Sequence, residues 1–88
     1  MPYKVVYTKK AIKGLNKIDK SQQRLILAWI EKNLANTEYP KASGKTLKGN
    51  LKNYWRYRVG NYRILADIDH DEVKIIIFNI GHRKDIYQ

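Results

Sequence analysis

Three strand-like runs fill the second half of the chain, Tyr54–Val59, residues 62–68 and residues 73–80, and the links between them are too short to be anything but turns. Gly60-Asn61 joins the first pair and suits a two-residue hairpin needing positive φ, while Asp69, His70, Asp71 and Glu72 join the second pair. Parallel neighbours need a crossover of about a dozen residues or more, so these links dictate an antiparallel meander. Alternation along the first run sends Tyr54, Arg56 and Arg58 to one face and Trp55, Tyr57 and Val59 to the other. Only the face without arginines can be core.

The first half supplies what covers that face. Residues 3–7, rich in Val and Tyr, read as a strand ending at Thr8, a good helix N-cap. Ala11, Ile12, Leu15 and Ile18 recur at helical spacing as one buried stripe, with Lys9, Lys10, Lys13 and Lys17 around the rest of the turn; Gly14 weakens this helix slightly. Ser21 can cap a second helix over residues 22–35 whose buried side includes Ile26, Trp29, Ile30 and Leu34. Residues 36–49, with Pro40, two Gly and several Lys, carry no period and read as a loop. The order is β-α-α-β-β-β. The expected fold is α+β, a mostly antiparallel four-stranded sheet with an N-terminal helical hairpin packed on one face. At 88 residues the chain is one domain, 1–88, with a small core.

Charge narrows the partners. Eighteen basic against eight acidic residues give a net charge of +10, which favours nucleic acid, an anionic membrane surface or an acidic protein. Between Lys41 and Arg63 there are seven Lys and Arg and no Asp or Glu. In that stretch guanidinium groups alternate with Tyr and Trp, a combination suited to RNA: the planar cation grips phosphate and the ring receives an unstacked base. The absence of Cys excludes disulfides, a thiolate nucleophile and thiolate zinc sites, and His70 and His82 lack metal-ligand spacing. The longest apolar run has six residues and the opening Met-Pro-Tyr-Lys lacks a signal-peptide core, so a cytoplasmic protein without membrane association is expected.

The strand Tyr-Lys-Val-Val-Tyr, the helical hairpin, the basic loop ending Leu47-Lys48-Gly49, the string Trp55-Arg56-Tyr57-Arg58-Val59-Gly60-Asn61-Tyr62-Arg63-Ile64 and the close Gly81-His82-Arg83-Lys84-Asp85-Ile86-Tyr87 together resemble the RelE/ParE superfamily of bacterial toxins over almost the whole chain. The resemblance implies a RelE-like fold and an antitoxin partner, expected to be acidic, from the same operon. Its RelE branch implies a ribosome-dependent mRNA endoribonuclease, an mRNA interferase acting by metal-free and cofactor-free attack of a ribose 2′-hydroxyl on the adjacent phosphodiester. Ribosome and mRNA are then the further partners. The family's functional positions map onto Arg56, Arg58, Arg63, Arg83 and Tyr87.

Such chemistry needs a proton acceptor for the 2′-hydroxyl, a cation for the phosphorane and an acid for the 5′ oxygen. Arg63 and Arg83 suit the cation; the bland alternative for Arg63 is a surface pair with Asp67 or Asp69. Arg56 and Arg58 stand where the RelE pattern has lysines, one of them a general base. An arginine with a pKa above roughly 12 is a very poor base, so these two are assigned to phosphate. His82 is the candidate proton carrier, with a core-edge imidazole as its alternative; His70 reads as surface. Tyr87 either orients a base or folds back beside Ile86. Tyr54 and Tyr62 are available to RNA, and Lys45, Lys48 and Lys52 read as a diffuse phosphate-binding surface. Two rival functions share the fold: a ParE-like inhibitor of DNA gyrase without nuclease activity, and a basic RNA-binding module without catalysis.

Overall fold

The computed structural model describes residues 2–46 and 54–82. Strand β1 (Lys4–Tyr7) is followed by helices α1 (Lys9–Asn16) and α2 (Lys20–Asn33), then by strands β2 (Lys45–Thr46), β3 (Tyr54–Val59), β4 (Tyr62–Asp69) and β5 (Lys74–His82). The sheet order is β1-β5-β4-β3-β2, with β1 parallel to β5 and every other pair antiparallel. This is the expected α+β architecture with one strand more than the expected four. Lys45 and Thr46, read from sequence as loop, pair with Arg56 and Trp55. They are held there by the segment before them: the Trp55 indole N–H donates to the Ser43 carbonyl at 2.6 Å, and the Tyr57 hydroxyl to the Pro40 carbonyl at 2.5 Å. Gly44 has φ of +82°, and a Cβ there would lie 2.4 Å from the Arg56 carbonyl oxygen. No local period could reveal a two-residue strand fixed this way.

The turns and caps mostly follow the sequence. Val59 pairs with Tyr62 across Gly60-Asn61, and only Gly60 of the two has positive φ, which makes the loop a type II′ turn. Asp69 ties the second turn by accepting from the backbone N–H groups of Asp71 and Glu72 at 3.0 and 2.9 Å. The Thr8 hydroxyl accepts from the Ala11 N–H at 3.2 Å, capping α1 as expected. Helix α2 starts earlier than expected: Asp19, not Ser21, is its N-cap, and the Ser21 hydroxyl donates to the Asp19 carboxylate instead. It also stops short of Ala35, because Asn36 takes a left-handed conformation with φ of 61°. Among the described residues, no helix is long and apolar enough to cross a membrane.

The core lies between the two helices and one face of the sheet. Ala11, Leu15 and Ile18 of the first helical stretch and Ile26, Ile30 and Leu34 of the second meet Tyr57, Ile64, Ala66, Ile75, Ile77 and Ile80. Burying each Ile or Leu contributes about 1.5–3 kcal/mol relative to exposure. Ile12 was expected in this stripe and is instead 46% exposed, since Ala11, Leu15 and Ile18 already fill the contact and Ile12 sits a further 100° round the helix. Gly14 has a use that propensity hides. A Cβ there would lie 2.1 Å from the Ile80 carbonyl oxygen, so α1 rests on β5 through a bare backbone contact.

Gly14→Ala therefore sets about 1 kcal/mol of gained helix propensity against this collision. Urea denaturation should show a net loss of about 1–3 kcal/mol; a gain would mean that α1 can lift from β5 without cost. Burial also pushes the Tyr57 phenol well above its usual range, and burial followed by the Glu31 carboxylate raises Tyr7. Unfolded tyrosines release their protons near pH 10 while these folded ones do not, so rising pH favours the unfolded chain. Stability should be full below about pH 10 and fall above it. Tyr57→Phe should cost about 1 kcal/mol near neutrality and flatten that alkaline fall, as followed by denaturation at stepped pH.

Candidate nucleic-acid interface

The face of the sheet turned away from the helices carries the cations. On β3 alternation puts Tyr54, Arg56 and Arg58 there, and their partners across the hairpin, Asp67, Leu65 and Arg63, share that side. Arg58 therefore stands directly opposite Arg63. On the other side of β3, Lys45 stands directly opposite Arg56. Like charges in directly opposed positions oppose sheet formation, and this face has two such pairs side by side. A sequence selected for stability alone would place a Thr or a carboxylate in one position of each pair. Local conflict of this kind is common on surfaces shaped by function rather than by stability alone.

Arg63 is the least exposed of the group, at 4%. The sequence offered a surface arginine as the bland alternative; the structure instead buries this side chain within the sheet's central hairpin. A guanidinium stays charged when buried, so Arg63 is a cation fixed in place before any ligand arrives. Arg58 is exposed and Arg56 is partly so, and both line a cleft of about 280 Å³ with Trp29, Ser43, Gly44 and Lys45. Lys45 is exposed. Trp55 and Tyr57 face the helices; Tyr57 is fully buried in the core, and Trp55 packs against it while carrying the Lys41 ammonium 5.2 Å from its ring centroid.

Two expected site residues are not brought to the arginines. Tyr62 pairs with His82, next to the Arg63–Gly81 pair and so on the opposite face. Their rings meet edge to face at 5.6 Å and line a groove of about 370 Å³ with Gly14, Lys17, Ile18 and Asp19, on the helix side of the sheet. His70 lies in the β4–β5 turn, where its Nδ1 is 2.7 Å from the Tyr3 hydroxyl. Lys48, Lys52, Arg83 and Tyr87 lie outside the described residues. One residue on the open face was missed in the sequence: Phe78, whose ring centroid is 5.1 Å from that of Tyr54.

Comparison with known proteins agrees with this fold. The family model described as the ParE toxin of type II toxin-antitoxin systems, parDE, matches residues 5–87. Toxin RelG of Mycobacterium tuberculosis is 33% identical over 89 residues, spanning 100% of this chain and 99% of that protein. Toxin RelE3 of Methanocaldococcus jannaschii is 36% identical over 86 residues, spanning 96% of this chain and 94% of that protein. Among solved structures, the toxin-antitoxin complex RelBE2 of M. tuberculosis contains a chain that superposes with a TM-score of 0.83 at 28% identity, covering 94% of this chain and 100% of that one.

If Arg58 and Arg63 oppose each other as their register implies, Arg58→Thr should stabilise the free protein at low salt by about 0.2–1 kcal/mol. The gain should shrink as salt screens the pair. Denaturation at two ionic strengths measures both, and a loss of stability at low salt would remove the repulsion from the account of this face.

Proposed function

Because the chain belongs to the RelE/ParE superfamily of type II toxin-antitoxin toxins, we propose that it is a ribosome-dependent mRNA endoribonuclease whose guanidinium face holds the scissile phosphodiester. The observation that supports this most is the placement of Arg56, Arg58 and Arg63 on one face in two opposed like-charge pairs, with Arg63 buried. In this reading the ribose 2′ oxygen bonds to phosphorus, the bond from phosphorus to the 5′ oxygen breaks, and the arginines carry the extra charge of the phosphorane between these events. Fixed donors stabilise that charge without reorganising, which is why a buried cation is worth more than a mobile lysine. Arg83 completes the cationic set and Tyr87 positions a base, as the family pattern implies.

Proton transfer is the step the arginines cannot take. His82 was the sequence candidate, yet its register puts it on the helix side, so in this reading the 2′ proton passes to solvent and the 5′ oxygen takes one back from solvent. The partner that restrains the toxin is read as an acidic antitoxin, by analogy with the M. tuberculosis RelBE2 complex and by complementarity to a net charge of +10. A second reading, inhibition of DNA gyrase by binding alone, is favoured by the ParE description of the matching family. The two named relatives carry Rel names, RelG and RelE3, and favour the first.

In a purified translation system, programmed ribosomes should yield cut message with the wild-type chain, and Arg63→Ala should slow the cut by about a hundredfold or more. Intact message together with gyrase-dependent DNA breaks would replace the nuclease reading with the gyrase one. His82→Gln should keep the single-turnover rate within about twofold; a drop of about a hundredfold would return proton transfer to the imidazole.

A further inference from the structure

Phe78 occupies the irregular place in the β4–β5 ladder. Ile77 and Ile80 both enter the core, at 0% and 1% exposure, although their odd spacing would send one of them outward in a regular strand. The ladder absorbs the difference with a bulge: Ala66 pairs with Ile77 and Leu65 with Asn79, so no residue of β4 stands opposite Phe78. The bulge keeps both isoleucines in the core and leaves the Phe78 ring on the open face. There it meets Tyr54 at a tilt of 52° between ring planes. Neither ring belongs to the core or packs against it, and both retain some exposed surface.

The neighbours of this pair run in a definite order. Arg56 is two residues from Tyr54 along β3, about 7 Å away, and Arg58 is about twice as far. On β4, Asp67 stands opposite Tyr54 and Asp69 lies beyond it. A polyanionic strand crossing from the arginines toward the carboxylates would be repelled before reaching them, so the group that arrives over Tyr54 and Phe78 is a neutral base and not a phosphate. We propose that Tyr54 and Phe78 form a stacking platform for one unstacked base of a single-stranded RNA whose phosphates lie on Arg56 and Arg58. This rests on the reading that the open face takes RNA. It adds a binding site on β5 and sets the direction in which the strand lies, base end toward the acidic edge.

The test uses the full chain and a short single-stranded oligoribonucleotide carrying one central 2-aminopurine, whose fluorescence falls when it stacks. Wild type should quench the probe. Phe78→Leu, which keeps apolar bulk without a π face, should abolish the quench and weaken binding roughly five- to a hundredfold, and Phe78→Trp should restore both. A melting temperature near wild type shows that the leucine variant is folded; should it not fold, Tyr54→Ala at the start of β3 carries the same comparison. Quenching and affinity unchanged in Phe78→Leu would overturn the platform, as would unchanged RNA binding with loss of binding to a protein partner. Those outcomes, with programmed ribosomes still cutting message, would remove the platform alone. Uncut message and no RNA binding by wild type would remove the RNA reading of the whole face.

Discussion

Everything on the open face depends on the register between β3 and β4. The two-residue loop at Gly60-Asn61 fixes that register, pairing Tyr57 with Ile64 on the core side and Arg58 with Arg63 on the other. A slip by one residue would turn every side chain of one strand over, sending arginines into the helices and Tyr57 or Ile64 into water. The apolar face and the arginine face are thus specified by the same ladder. Hydrophobic burial on one side enforces an arrangement of like charges on the other that the charges themselves would not adopt.

That enforcement needs a firm backing. The helical hairpin supplies it through the bare backbone approach of Gly14 to Ile80 and through Ile26 and Ile30 of α2, which share one buried cluster with Tyr57, Ile64 and Ile75. At the outer edge, the segment from Pro40 to Thr46 is sewn to β3 by the Tyr57 hydroxyl and the Trp55 indole. Trp55 and Tyr57 of the Tyr54–Arg63 run therefore act from behind, holding the strand whose arginines face out.

The meander, both helices and the sorting of Trp55 and Tyr57 from Arg56 and Arg58 were legible because apolar periodicity and turn residues are local signals. Simple alternation from Arg63 also sends Tyr62 to the opposite side, and that signal was open to use. His82 was harder, since its side depends on β5 register through a bulge that the run Lys-Ile-Ile-Ile-Phe-Asn-Ile does not betray. The same bulge hid Phe78. β2 was illegible because its hold on the sheet comes from distant hydrogen bonds and from Gly44 rather than from its own residues. The burial of Arg63 could not be read either, because composition treats an arginine as surface and its 4% exposure exists only in the finished fold.

The pairing of β1 with β5 joins Lys4 to Lys74 and Tyr7 to Ile77, so, among the described residues, the first strand finds its place beside the last. Closing so long a loop costs entropy that no local contact returns until the ladder forms. During synthesis, which proceeds from the N-terminal end, β1 has no edge to join until β5 has been made, and α1, which leans on β5 through Gly14, waits with it. The order of the sheet thus works as a clock: the backing of the arginine face is completed only once β5 has been made.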